Sequence, residues 1–345
     1  MGEKPKGVFM KKIISVAAAL LLSASIGVFA KAKTVTIETL NGKNEKTTVS
    51  VPYNPKRVAI LDLAALDIID NLGLGSRVVG SATTSIDYLS KYSPDKNKKI
   101  KNIGNIKTPD MEAVFECEPD VIFIGGRLAS KYDELSKIAP VVYLSTDMKI
   151  GLVESVKKNA SSIASIFGKE KDVASKFKGF ESRISTLKAK ANGQSAVLGM
   201  VTSGSCNLLG NTGRLNLIVN EIGFNNLGAG LSGGKGRGGK GGQNGQGEKT
   251  ATPQESAAQA HGEESSFELI AKLNPAYIFV LDRDSAIVTN GARLAKDVMN
   301  NEIVAMTDAV KNGHLVILPS PAVWYTAEGG ISSLDRMLKD LENSL

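Results

Sequence analysis

Residues 111–127, MEAVFECEPDVIFIGGR, and residues 267–283, FELIAKLNPAYIFVLDR, decide the fold of this chain. At a constant offset of 156 and without a gap, Glu112 meets Glu268, Pro119 meets Pro275, Ile122-Phe123 meets Ile278-Phe279 and Arg127 meets Arg283. Five identities in 17 positions, on one shared apolar pattern, mark an internal echo. Each copy reads as helix, proline turn, buried strand, then an arginine at the strand's carboxyl end. Ligands of open α/β sheets bind beyond those ends. Each half of the chain therefore brings an arginine to the place where a shared cleft would lie.

The same texture runs outward from both copies. RVAILDL (57–63) is an apolar strand, and AALDIIDNLGLG after it has helical spacing that ends in glycine. RVVGSAT and PVVYLST read as further strands on the amino-terminal side, and SAVLGMVTS and HLVILPS on the carboxyl-terminal side. Strands alternating with helices predict mainly parallel sheets in two α/β lobes. Between about Ile150 and Ala191 the spacing becomes helical throughout, with no proline. One long helix is expected there, or two nearly continuous ones with a break near Gly168. The expected organisation is an export segment at 1–32, an amino-terminal lobe at 33–153, a bridging helix at 154–192 and a carboxyl-terminal lobe at 193–345. A glycine-rich surface insertion at about 228–260 interrupts the second lobe, because so many glycines do not repay the entropy of ordering.

The first residues carry the export signature. Lys11 and Lys12 precede an uncharged apolar run, Ile13 to Phe29, and small residues follow at cleavage spacing around Ala30 and Ala32. The run is shorter than the ~20 residues that span a bilayer. No cysteine stands near the cleavage point, so a free periplasmic protein is expected rather than a lipid-anchored one. Residues 1–32 carry +4 of the chain's +7, which leaves +3 for the remaining 313 residues. That excess does not support a nucleic-acid binder. Cys117 and Cys206 fall in different lobes and read as two buried free thiols. With His261 and His314 as the only histidines, no zinc cluster is expected.

The candidate site residues gather beyond strand ends. Arg127 and Arg283 offer planar forks of donors to anionic oxygens, and Arg214 follows a strand and a glycine-rich turn in LLGNTGRLNLIVNEIG. Trp324 and Tyr325 follow HLVILPSPAV and read as a loop that supplies an aromatic wall with a phenol. A phenolate is a hard oxygen ligand that suits ferric iron. His261, at the junction of the insertion and a helix, reads equally as a swinging metal ligand or an exposed loop residue. Gly234 to Lys240 imitates the front of a phosphate loop but continues with Gly241 and lacks the flanking strand and helix. The G-x-S-x-G spelled by Gly230 to Gly234 falls in the glycine-rich insertion and not between a strand and a helix, which argues against an α/β hydrolase.

NPKRVAILDLAALDIIDNLG, MEAVFECEPDVIFIGGR, LLGNTGRLNLIVNEIG, HGEESSFELIAKLNPAYIFVLDR and VWYTAEGG together resemble the class III substrate-binding proteins of bacterial ABC importers. The resemblance is to the ferric catecholate-siderophore binders of the petrobactin and enterobactin type. It implies two α/β lobes joined by a long rigid helix, no enzymatic activity and no intrinsic cofactor. Fe(III) would enter only within a siderophore complex. It further implies that Arg127, Arg214 and Arg283 cradle catecholate oxygens, that His261 and Tyr325 complete the iron shell of some complexes, and that Glu112 and Glu268 dock on the inner-membrane permease. A monomer is the expected form. Haem or cobalamin in the same fold is the rival reading. Three arginines favour a polyanion over neutral cobalamin, whereas haem also accepts tyrosine and histidine ligands.

Overall fold

The computed structural model describes residues 33–147, 149–231 and 265–345. Residues 1–32, expected to direct export, His261 and the glycine-rich stretch from residue 232 lie outside the described residues. Among the described residues, no helix is long and apolar enough to cross a membrane.

An antiparallel hairpin opens the described chain, β1 (Thr34–Leu40) against β2 (Lys46–Pro52). A five-stranded parallel sheet follows: β3 (Val58–Ile60), β4 (Val78–Ser81), β5 (Lys101–Asn102), β6 (Val121–Ile124) and β7 (Val141–Tyr143). Its order is β5-β4-β3-β6-β7. Strands β3, β6 and β7 are buried at every residue, as a parallel sheet covered on both faces requires. The free edge of β7 is closed by a side chain. Thr39 Oγ1 donates to the Tyr143 carbonyl at 2.9 Å and accepts from the Tyr143 amide at 2.7 Å. That hydroxyl satisfies backbone groups that would otherwise invite another strand.

The second sheet holds β8 (Ser195–Thr202), β9 (Ser205–Leu208), β10 (Asn225–Asn226), β11 (Tyr277–Asp282) and β12 (Leu315–Ile317). The parallel path runs β10-β8-β11-β12, with β9 antiparallel to β8. Strands β6 and β11, which carry the echo, each sit inside their sheet and lead to Arg127 and Arg283 at their carboxyl ends. The architecture is the expected one of two mainly parallel α/β lobes. Cys117 packs in the core of the first sheet and Cys206 in that of the second.

The flanking helices define how the lobes meet. Helix α1 (Leu63–Asn71) follows β3 and is capped by Asp62, whose carboxylate accepts from the Ala65 amide at 2.8 Å. Helix α2 is Met111–Glu116. The segment expected as one long helix, or as two, resolves into three: α3 (Leu152–Phe167), α4 (Glu170–Phe177) and α5 (Phe180–Ala191). Beyond the break at Gly168 there is a second one at Gly179, whose φ of +96° does not fit a right-handed helix. The carboxyl-terminal lobe adds α6 (Ser266–Leu273), α7 (Pro321–Thr326) and α8 (Ile331–Glu342). RLNLIVNEIGF is shorter than read, with a π-helical turn at Leu217–Glu221.

Two carboxylates tie the lobes by capping helices that lack caps of their own. Asp67 of α1 is fully buried and accepts from the Ser332 and Ser333 amides at the start of α8, at 2.9 and 2.8 Å. It also accepts from Ser333 Oγ, Tyr88 Oη and Asn71 Nδ2. The backbone approaches so closely that a Cβ on Gly330 would lie 2.2 Å from Asp67 Oδ2. Glu221, from the second lobe, accepts from the Leu152 and Val153 amides at the start of α3, at 2.5 and 3.2 Å. Each contact satisfies orphan helix donors and uses the favourable end of the helix dipole.

Candidate functional site

The carboxyl ends of the two sheets bring Arg127, Arg214, Arg283 and Tyr325 together. Tyr325 stands at the end of α7, whose start is set by Ser320-Pro321 with proline at the first helical position. The Tyr325 carbonyl, left without a helical partner, accepts from Arg127 Nη2 at 3.0 Å and Arg214 Nη1 at 2.8 Å. Arg214 also lies over the phenol ring, 4.0 Å from its centroid, and Arg127 lies 5.5 Å from it. Each guanidinium has five N–H donors. Capping one carbonyl fixes the fork and leaves other donors for an incoming anion.

The electrostatics follow from that crowding. Burial raises the Tyr325 phenol's affinity for its proton, but a hydrogen bond from Arg283 and the fields of Arg214, Arg283 and Arg127 outweigh it, so its pKa falls below the ordinary value. Arg283 is held more firmly protonated, first by that bond to Tyr325, and its Nη1 also donates to Asp284 at 3.0 Å. Arg214 is pushed the other way by burial and by Arg127. The site is thus a cationic cluster around a phenol predisposed to ionise.

Two hollows open from it. One, of about 200 Å³, is bordered by Asp62, Arg127, Arg214, Tyr325, Glu328 and Asn159, among others. The second, of about 440 Å³, shares Arg127, Tyr325 and Thr326 and continues along Leu63, Thr84 and Ile287. Arg283 borders neither and acts on the cluster through Tyr325 and Asp284. Asp62 and Glu328 were not anticipated. Burial raises the pKa of the Asp62 carboxyl, against its bond from the Ala65 amide and the field of Arg127. Burial pushes that of Glu328 up to about 7, against the fields of Arg214 and Arg127. The sequence signal for Asp62 was a carboxylate between a strand and a helix, in AILDLAALD. Glu328 had only its place in a glycine-rich turn beyond a strand.

Other expectations are corrected or refined. Trp324 does not face the cleft from a loop. It lies in α7, is 0% exposed, and donates its indole N–H to Asp340 Oδ2 at 2.9 Å. It fixes the wall from behind. Its backbone carbonyl is 3.5 Å from Arg214 Nη1. His261 lies outside the described residues. Glu112 and Glu268 are exposed near the starts of α2 and α6. They are not local equivalents. Glu268 closes a capping box with Ser265, whereas Asp110 alone caps the helix of Glu112. Among the described residues, no three His, Cys, Asp or Glu side chains converge in a way that could hold a metal ion.

Known proteins share this fold. Residues 58–322 match the sequence profile of the family described as Periplasmic binding protein. The petrobactin-binding protein YclQ of Bacillus subtilis is 33% identical over 310 residues, covering 89% of this chain and 88% of that one. Its crystal structure aligns with a TM-score of 0.73 at 32% identity over 90% of this chain and 98% of that one. The periplasmic catecholate-siderophore binding protein VctP of Vibrio cholerae aligns with a TM-score of 0.72 at 28% identity, covering 90% of this chain and 100% of that one.

Proposed function

The chain belongs to the periplasmic binding protein family, and on that premise we propose that it is the substrate-binding component of an ABC importer that captures a ferric siderophore of the catecholate class. The observation that carries this reading is the convergence of Arg127 and Arg214 on the Tyr325 carbonyl, with Arg283 on its phenol. A polyanionic complex would meet two cations directly in the hollows and a third behind the tyrosine. A ferric bis-catecholate leaves two positions of octahedral iron open. The Tyr325 phenolate and His261 would fill them. Iron is cargo here and the chain performs no chemistry on it.

The loaded protein, acting outside the inner membrane as a monomer, would present Glu112 and Glu268 to the permease. The lobes would be those read from sequence, 33–153 and 193–345, around the helical segment. Isothermal titration with a synthetic ferric bis-catecholamide, haem and cobalamin tests the assignment. One-to-one binding of the ferric catecholate, with much weaker binding of the other two, is the expected result. Preferential binding of haem or cobalamin would overturn it.

A further inference from the structure

Glu328 is an expensive residue to place where it is. Its Oε1 is fully buried and has no hydrogen-bond partner. A buried, unsatisfied carboxyl oxygen is costly, so its position calls for a compensating role. It borders the same hollow as Arg127 and Arg214, and feels the field of both. Its position is also enforced. Glu328 precedes Gly329 and Gly330, and the chain then enters α8 under the Asp67 clamp. A Cβ on Gly329 would press on Ala64 at 3.2 Å, and one on Gly330 on Asp67. Two glycines in close contact with α1 thus hold a carboxyl with one unpartnered oxygen at the hollow that the arginines border.

We propose that Glu328 is a ligand-contacting residue of this cleft that binds as the carboxylic acid, donating its proton to an oxygen of the anionic ligand, so that Glu328 takes up one proton when the ferric complex is captured. The proposal rests on the ferric catecholate reading above. A carboxylate among arginines would weaken a site for a polyanion, because it repels the ligand and neutralises its receptors. The neutral acid adds a donor instead. The free protein is poised for this, since burial holds the group near half protonation at neutral pH. An arriving polyanion shifts it further towards the acid. The other charged or titratable groups bordering the hollow are Asp62, Arg127, Arg214 and Tyr325. Asp62 is occupied in capping α1, so its oxygen already has a partner.

Linkage gives the sign. The proton is taken up where the free acid is ionised and the bound one is not, that is, above pH 7. The Glu328 contribution to affinity therefore falls as pH rises from 7, by up to about tenfold per unit, and levels off below 7. Titration of a ferric bis-catecholamide at pH 7.5, in buffers of different ionisation enthalpy, counts the proton. Against Glu328→Gln, which keeps a donor but cannot titrate, wild type should take up about 0.7 more protons per ligand. The variant should bind at pH 8.5 at least as tightly as wild type.

Equal uptake by wild type and Glu328→Gln would overturn the proposal. So would uptake lost in Asp62→Asn and retained in Glu328→Gln. Carbon-13 NMR of glutamate carboxyls in wild type gives a second measurement that needs no folded variant. One carboxyl should titrate near pH 7 in the free protein and stay protonated to higher pH in the complex. An unchanged titration overturns the proposal. Absence of any binding to wild type overturns the ferric catecholate reading itself, a result distinct from binding without proton uptake.

Discussion

Replacement of Arg214 separates ligand capture from structural support. In Arg214→Ala the Tyr325 carbonyl loses its 2.8 Å donor but keeps Arg127 at 3.0 Å. The ring loses the guanidinium stacked 4.0 Å from its centroid, a contact of about 0.5–2 kcal/mol depending on exposure. Stability should therefore fall by roughly 1–2 kcal/mol. Affinity should fall more. A charge-assisted bond to a buried anion contributes about 1.5–3 kcal/mol, which is roughly a ten- to 150-fold loss. Arg214→Lys keeps the charge, but its single ammonium does not cap the carbonyl, stack on the ring and reach the ligand together. It should recover roughly half of the lost free energy. Titration calorimetry with a ferric bis-catecholamide measures affinity, and urea denaturation monitors the fold. Because Arg214 is largely buried, the loss should persist in 0.5 M salt, well beyond the concentration that screens exposed charges. A folded Arg214→Ala that binds within about twofold of wild type would refute the cationic-cluster argument.

Asp67→Ala removes the acceptor of two α8 amides, a serine, a tyrosine and an asparagine. About 3–5 kcal/mol of unfolding free energy should be lost in urea denaturation, and a loss under about 1 kcal/mol would mean that the clamp is dispensable. Ultraviolet titration of the ligand-free protein should show Tyr325 ionising ahead of Tyr88, Tyr92 and Tyr143, since Tyr325 is lowered while those three are raised by burial. Tyr325→Phe should delete that first phase and Arg283→Ala should move it to higher pH; persistence of the phase in Tyr325→Phe would assign it elsewhere. Glu112→Ala with Glu268→Ala should leave ferric catecholate binding intact, cost about 1–2 kcal/mol of stability mainly through the Glu268 capping box, and abolish uptake in cells that depend on this protein. Normal uptake would reduce both glutamates to helix-start carboxylates.

Sequence reached the parts of this molecule whose information is local. Period, proline turns and buried apolar runs located most strands, and the echo placed Arg127 and Arg283 because strand and exit run in one short segment. Arg214 was readable for the same reason, as a cation at the end of a strand and a glycine turn. Trp324 was misread although Ser320-Pro321 announced a helix start. Within α7, Val323 and Trp324 turn inward, and the acceptor for the indole stands in another helix, at Asp340. The breaks that cut the helical segment into three depend on single glycines in a segment with few strong stops.

The interlobe clamps were out of reach of any local pattern. Asp67 meets Ser332 across 265 positions, and Glu221 meets Leu152 across 69. Yet these distant contacts give the local motifs their meaning. Asp67 fixes α8, α8 fixes Trp324 through Asp340, and Trp324 fixes the helix that presents Tyr325 to the arginines. The same clamp forces the Gly329-Gly330 turn against α1 and aims Glu328 into the hollow. The cleft's cations come from strand ends that any α/β sheet provides. The acid that accompanies them is placed by contacts between lobes, so a change in lobe packing would alter the proton coupling of the site before it altered its charge.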